Sequence, residues 1–251
     1  TIAKEMGAID DIIEDIEKAK RDDRIEGIYL HMPSVSAQPS TIYDIREALV
    51  DFKESGKWIV CYAETMGQGT YYVASVADEI YMYPEGDLSF FGLSAEMMYF
   101  KGLLEKLDVE MQVLRGPNNK YKSAVEPYIK DHMSDPAKEQ MTALLDDIWR
   151  IMLQGISSSR DISVNELNRI ADNMEIILPS DAVEKGLIDG LKYEDEVNDL
   201  LKAKLGIETE FADAEDTDDD EDEESDDDIN FVDFSSYRHA YVKDESDSTN
   251  Y

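Results

Sequence analysis

One nine-residue run, Lys120-Tyr121-Lys122-Ser123-Ala124-Val125-Glu126-Pro127-Tyr128, gathers the groups best suited to chemistry in this 251-residue chain. Its central lysine, Lys122, has the makings of a general base. A free lysine titrates near ~10.4, too high for that task at neutral pH, but burial disfavours the ammonium and lowers it by up to several units. A neutral amine can then take the proton from a weak nucleophile, such as a serine hydroxyl, as it attacks a carbonyl. Ser123 does not read as that nucleophile, because adjacent side chains diverge on either a helix or a strand. Ser75 is expected to pack or cap, and Ser34 and Ser36 to sit in a loop. Lys122 is thus a base without a visible nucleophile, and Lys120 reads as its solvated neighbour.

Other reactive side chains are sparse. His31, His132 and His239 show no metal-ligand spacing, and a single cysteine, Cys61, excludes an intrachain disulfide and a cysteine-based zinc site. The formal charge of -34 argues against nucleic acid as a partner, since phosphate backbones are bound by clustered Lys and Arg. Residues 213–228 are almost wholly Asp and Glu and lack the glycine and ligand spacing of a calcium-binding loop, so a disordered, solvated linker is expected there. No metal and no cofactor is expected. No window approaches the ~18 apolar residues that would span a bilayer, and no signal peptide opens the chain. The chain starts at Thr1 and enters a helical pattern at once, which reads as a piece of a longer protein with its export or anchoring segment upstream.

The elements that must position the lysine follow from periodicity. Residues 8–20 carry Ile9, Ile12, Ile13, Ile16 and Ala19 at helical spacing. A β-rich run over 25–32 ends at Pro33, Ser40 caps a helix reaching about residue 54, and residues 57–63 read as a buried strand. A helix over 68–77 and a strand over 79–83, stopped by Pro84, come next. The alternation is expected to continue through a helix within 97–107 and a strand over 110–115, with Met97, Met98, Tyr99, Met111 and Val113 as core. Such an order predicts an α/β fold with a largely parallel sheet. Residues 135–156 read as a long amphipathic helix, 163–172 as a helix with a capping-box start at Ser163, and 180–191 as a short helix closed by glycine before a final strand. Residues 230–237 regain aromatics and have the composition to dock as a strand.

The lysine run, with Met133-Ser134-Asp135-Pro136 after it, resembles the lysine-bearing segment of the signal peptide peptidase A (protease IV) family. Further matching stretches are Asp22-Asp23-Arg24-Ile25-Glu26-Gly27-Ile28, Glu54-Ser55-Gly56-Lys57, Gln68-Gly69-Thr70-Tyr71-Tyr72-Val73-Ala74-Ser75-Val76-Ala77-Asp78, Phe90-Phe91-Gly92-Leu93 and Gly186-Leu187-Ile188-Asp189-Gly190. Their order and spacing resemble the amino-terminal half of the long tandem-domain members, over roughly residues 1–245. The resemblance implies a crotonase-like (ClpP/crotonase) fold for residues 1–206, an acidic linker over 207–229, and a segment over 230–251 leading to a second domain.

It also implies a serine–lysine peptidase in which Lys122 is the general base. The family's nucleophile position is Gln68 here, and an amide cannot attack a carbonyl, so the serine is expected on the missing carboxy-terminal domain. The family's Gly-Gly turn, whose N–H groups would bind an oxyanion, is replaced by Met32-Pro33-Ser34-Val35-Ser36, and Pro33 removes a donor. Implied partners are signal peptides or other apolar peptides, the second domain, and further copies in a homo-oligomer. The implied location is the extracytoplasmic side of the bacterial cytoplasmic membrane. The chain alone is expected to be inactive, with Lys122 becoming neutral only when covered, against the acidity of the chain and of Glu126 four residues on. Two other readings remain open: a non-catalytic assembly or substrate-holding domain, and an acyl-CoA enzyme of crotonase fold, for which paired oxyanion donors are lacking.

Overall fold

Helical spacing of isoleucines, with Asp10 and Asp11 in the first turn and Lys18, Lys20 and Arg21 in the last, builds α1 (Ile9–Arg21) in the sense the helix dipole favours. The computed structural model describes residues 9–32, 37–114, 116–207 and 229–242. They divide into one unit of Thr1–Phe91 with Ile156–Tyr251 and a second unit of Gly92–Gly155.

In the first unit β1 (Gly27–His31), β2 (Trp58–Met66), β3 (Glu79–Leu88) and β4 (Gly190–Leu191) form a parallel sheet in the order β1-β2-β3-β4. Between the first three strands lie α2 (Pro39–Lys53) and α3 (Gln68–Ala74). Pro39, not Ser40, opens α2: its fixed φ suits the first helical position, where no N–H is needed. β2 lies between two strands, and Ile59, Val60, Cys61 and Ala63 are wholly buried, the unbroken apolar run expected of a strand covered on both faces. Burial pushes the Cys61 thiol up to about 12, so it is inert packing. On one face Val60 and Tyr62 meet Val197 and Leu201 of α9 (Glu194–Leu205).

Two aspartates repeat one device at strand starts. Asp78 Oδ2 accepts from Ile59 N at 2.8 Å, and Asp189 Oδ2 accepts from Ile80 N at 2.8 Å, so the residue preceding each new strand ties down its neighbour. Asp189 also receives a two-pronged bond from Arg160, at 2.9 and 3.0 Å. β3 does not stop at Pro84. The register shifts between Ala63 and Thr65 and pairing resumes at Asp87 and Leu88, leaving Pro84 in the irregular stretch, where a missing donor costs nothing. Only glycine fits at 86, because a Cβ there would stand 2.0 Å from the Glu64 carbonyl oxygen.

The rest of the first unit follows local signals. Ser163 caps α7 (Val164–Asp172) by accepting from Glu166 N at 3.2 Å. α8 (Pro179–Glu184) precedes β4, and α9 ends on Gly206 at φ 73. The expected strand over 230–237 is instead a short helix, α10 (Phe234–Tyr237), because Asp233 accepts from Ser236 N at 2.9 Å and turns the chain. The acidic residues 213–228 lie outside the described residues.

The second unit holds α4 (Lys101–Lys106), α5 (Glu126–Ile129) and most of α6 (Asp135–Arg160). The expected strand over 110–115 is absent among residues 110–114, which pair with no described strand. An alternating run becomes a strand only beside a ladder of donors and acceptors, and the described residues of this unit offer none. Met97, Met98 and Met111, expected in the core, are exposed, and Leu114 is fully so.

Candidate functional site

Lys122 lies in the turn that leads into α5, its N–H donating to the Asn119 carbonyl at 3.0 Å. The side chain is exposed, and among the described residues its ammonium has no hydrogen-bond or ion-pair partner. Lys120, two residues earlier, is engaged: its Nζ donates to Tyr121 Oη at 2.9 Å and stands 3.9 Å from Glu139. These contacts, the tyrosine first, hold the Lys120 ammonium above the ordinary lysine value.

Glu126 anchors the run. Its carboxylate is 4% exposed and accepts from Ser134 Oγ at 2.7 Å, Ser134 N at 3.1 Å and Lys130 Nζ at 3.1 Å. Burial drives this carboxyl upward, but the Ser134 bonds and the Lys130 charge together outweigh it and leave it below the usual glutamate value. Sequence reasoning placed Glu126 one helical turn from Lys122. The helix instead begins at Glu126, so Lys122 precedes it, and the glutamate turns to Ser134 and Lys130. The Ser134 role was missed, although Ser134-Asp135-Pro136 is a legible helix start: Ser134 Oγ also accepts from Ala137 N at 3.4 Å. Phe100 N donates to Pro127 O at 2.6 Å, and Phe100 stacks on Tyr128 with centroids 6.0 Å apart, which ties α4 to the run.

Within the first unit, Gln68 opens α3 directly after β2. Its Oε1 accepts from Phe91 N at 2.9 Å, so the amide carries a structural bond at the edge of that unit. The Tyr71 hydroxyl donates to Leu187 O at 2.7 Å, and burial raises its pKa. Ser75 is wholly buried and donates to Tyr72 O at 2.8 Å, a helix-end role. Ser123 is partly buried, and its carbonyl accepts from Glu126 N. Ser34 and Ser36, with Pro33, lie outside the described residues. His31 stands 3.6 Å from Glu194, and among the described residues no three His, Cys, Asp or Glu are grouped to hold a metal ion. None of the described helices is long and apolar enough to cross a membrane.

The lysine turn and three of the four strands, β2, β3 and β4, all fall within the span of one family profile. Peptidase family S49 matches residues 51–208, a span that includes both Gln68 and Lys122. The chain belongs to peptidase family S49. The S49 chain is 35% identical over 205 residues to Protease 4 of Salmonella typhi, covering 78% of itself and 33% of that protein. It is 33% identical over 199 residues to the chloroplastic serine protease SPPA of Arabidopsis thaliana, covering 78% of itself and 28% of the relative. Protease 4 of Haemophilus influenzae is 36% identical over 158 residues, which cover 62% of this chain and 25% of that one. The S49 chain therefore spans a third or less of the length of these relatives. Its α/β fold with a parallel sheet is of the crotonase-like class expected of the family.

Proposed function

We propose that this chain donates the general base of a serine–lysine peptidase, with Lys122 as the base and the nucleophilic serine on a domain outside the chain. The observation that carries the reading is the state of Lys122: an exposed ammonium without a partner among the described residues, on a turn pinned through Glu126 and Ser134. In this same unit Lys101, Lys120 and Lys130 each stand within reach of a carboxylate, whereas Lys122, like Lys106 and Lys138, does not among the described residues. Lys122 is left available for a group that covers it.

In the reaction, the covering domain desolvates Lys122 and favours its neutral form. The serine oxygen attacks the peptide carbonyl, its proton passes to Lys122 Nζ, and that proton goes on to the leaving amine as the C–N bond breaks. Water then attacks the acyl-enzyme ester, Lys122 takes its proton and passes it to the serine oxygen as the ester C–O bond breaks, and the acid product leaves. Oxyanion donors come from outside residues 32–36, where Pro33 lacks an N–H. The substrates are signal peptides or comparable apolar segments, and the working protein is a homo-oligomer on the extracytoplasmic side of the bacterial cytoplasmic membrane. The names of the relatives, Protease 4 and serine protease SPPA, support this reaction class, and that of a putative signal peptide peptidase SppA of Enterococcus faecium, 24% identical over 197 residues, supports the substrate class.

The test is a serine-directed fluorophosphonate applied to the full-length protein. Wild-type protein should label, and Lys122→Ala should not; labelling at the wild-type rate in the variant would remove Lys122 from the chemistry. A second reading, a holding or assembly domain without chemistry, is favoured by Gln68, whose side chain serves Phe91. That reading stands if the full-length protein labels equally with and without Lys122.

A further inference from the structure

Between Lys204 and Lys243 the chain has one Lys or Arg, Arg238, in a stretch otherwise dominated by acids. That single cation lands on the acidic face of α1. Arg238 Nε donates to Asp15 Oδ2 at 3.3 Å, and its terminal nitrogen stands 3.2 Å from Asp11 Oδ2. Beside it Tyr237, 6% exposed, donates its hydroxyl to Asp22 Oδ2 at 3.0 Å. Lys18 donates to the Tyr237 carbonyl at 2.7 Å and lies 4.4 Å over the tyrosine ring, while Arg24 reaches the Tyr241 carbonyl at 3.1 Å. Upstream, Ile229 packs on the sheet-face cluster and Phe231 meets Tyr29 with ring centroids 5.8 Å apart.

Two features set this contact apart from the rest of the unit. First, it is mostly polar: Tyr237 is the one fully buried side chain of residues 229–242, while Phe231, Val232 and Tyr241 are half exposed or more. Segments with little buried apolar surface open at lower free energy than the core they rest on. Second, its sockets are costly when empty. Asp15 and Asp22 are only 3% and 4% exposed, and such carboxylates are tolerated because the strap and its neighbours satisfy them. Burial, only partly offset by Arg238, raises the Asp15 carboxyl, whereas Arg24 and the Tyr237 hydroxyl hold Asp22 down at about 2. The like charges of residues 213–228 meanwhile oppose holding both their ends on one acidic domain.

We propose that residues 229–242 are a releasable strap, in which Tyr237 and Arg238 latch onto α1 and open and close as a unit while the sheet stays folded. In the closed state Tyr241 is held at Arg24, just past the C-terminal end of α1. In the open state it is joined to this domain only through the acid-rich run.

Native-state hydrogen exchange on the full-length protein tests this. The amides of residues 234–242 should exchange together, in an opening distinct from and faster than that of β2. Arg238→Ala should speed their exchange about tenfold or more, the scale of a lost hydrogen bond to a charged group, with β1 to β3 unchanged. Asp15→Asn should do likewise, and the double variant should add little, since both remove one contact. Three results would each overturn the strap: exchange of 234–242 only by global unfolding, no protection there in the wild type, or no response to Arg238→Ala.

Discussion

The two units place the same kinds of side chain in opposite settings. In the sheet unit Phe52, Ile59, Val60, Ile80 and Met82 are wholly buried, whereas in the lysine unit Met98, Leu103, Leu107 and Leu114 are 71, 56, 63 and 101% exposed. Among the described residues, buried positions in the lysine unit are few: Glu126, Ala137, Met152 and Leu153. One unit is ordered by its apolar interior, and in the other the run bearing Lys122 is ordered by polar pins. Exposed apolar side chains such as these are available to a covering partner. That is what the proposed base requires, since desolvation of Lys122 has to come from a partner.

The largest way to break this contrast is at Lys122. In the full-length protein Lys122→Ala should lower kcat by about 10²- to 10⁴-fold, the range for a lost general base, without shifting Tm. A fall in Tm comparable to that of a core variant would make Lys122 a structural residue. Phe52→Ala should cost about 3–5 kcal/mol in urea unfolding, while Leu114→Ala should stay within about 0.5 kcal/mol. Equal losses would show that the lysine unit has an interior after all.

Glu126→Gln should loosen the lysine turn by about 1–3 kcal/mol, seen as faster exchange at the Ser134 amide with the sheet unaffected. Because the folded Glu126 carboxyl titrates below its ordinary value of 4.5, its contribution is present above 4.5 and is lost as pH falls through the lower folded value. Acid should therefore release the Ser134 amide below pH 4.5, and a loss on raising the pH would reverse the assignment. A smaller effect than at Glu126 is expected at Gln68→Ala, about 1 kcal/mol at the Phe91 amide, with Gln68→Glu retaining an acceptor and its protection. Unchanged exchange at Phe91 in the alanine variant would show that the Gln68–Phe91 bond adds nothing there.

The sheet was legible because its signals are local and dense. Apolar runs at residues 57–63 and 79–83 and helical spacing in α1 specify elements whatever surrounds them. Misreadings came where a signal needed a partner. Residues 110–114 alternate like a strand but lack a ladder, and Pro84 looked like a stop although a register shift absorbs it. Helix α9 was overlooked despite Glu194, Asp195 and Glu196 at its start, Lys202 and Lys204 near its end and Gly206 beyond it. At the candidate site, Lys122 is proposed from its sequence neighbourhood, whereas the Glu126–Ser134 pin is not legible there. That pair joins two helix starts eight residues apart, and neither carries a pattern that names the other.

The order of strands in the sheet bears on how the chain comes to exist. β1, β2 and β3 are neighbours in space and successive in sequence, whereas β4 pairs with β3 only after residues 89–189 have intervened. Sheet growth from local pieces is fast, and closing a long excursion is slow. During synthesis the open side of β3 therefore waits as a bare edge until Asp189 and Gly190 arrive. A ribosome stalled before that point holds a chain whose sheet is three-quarters built and exposed to pairing with its neighbours.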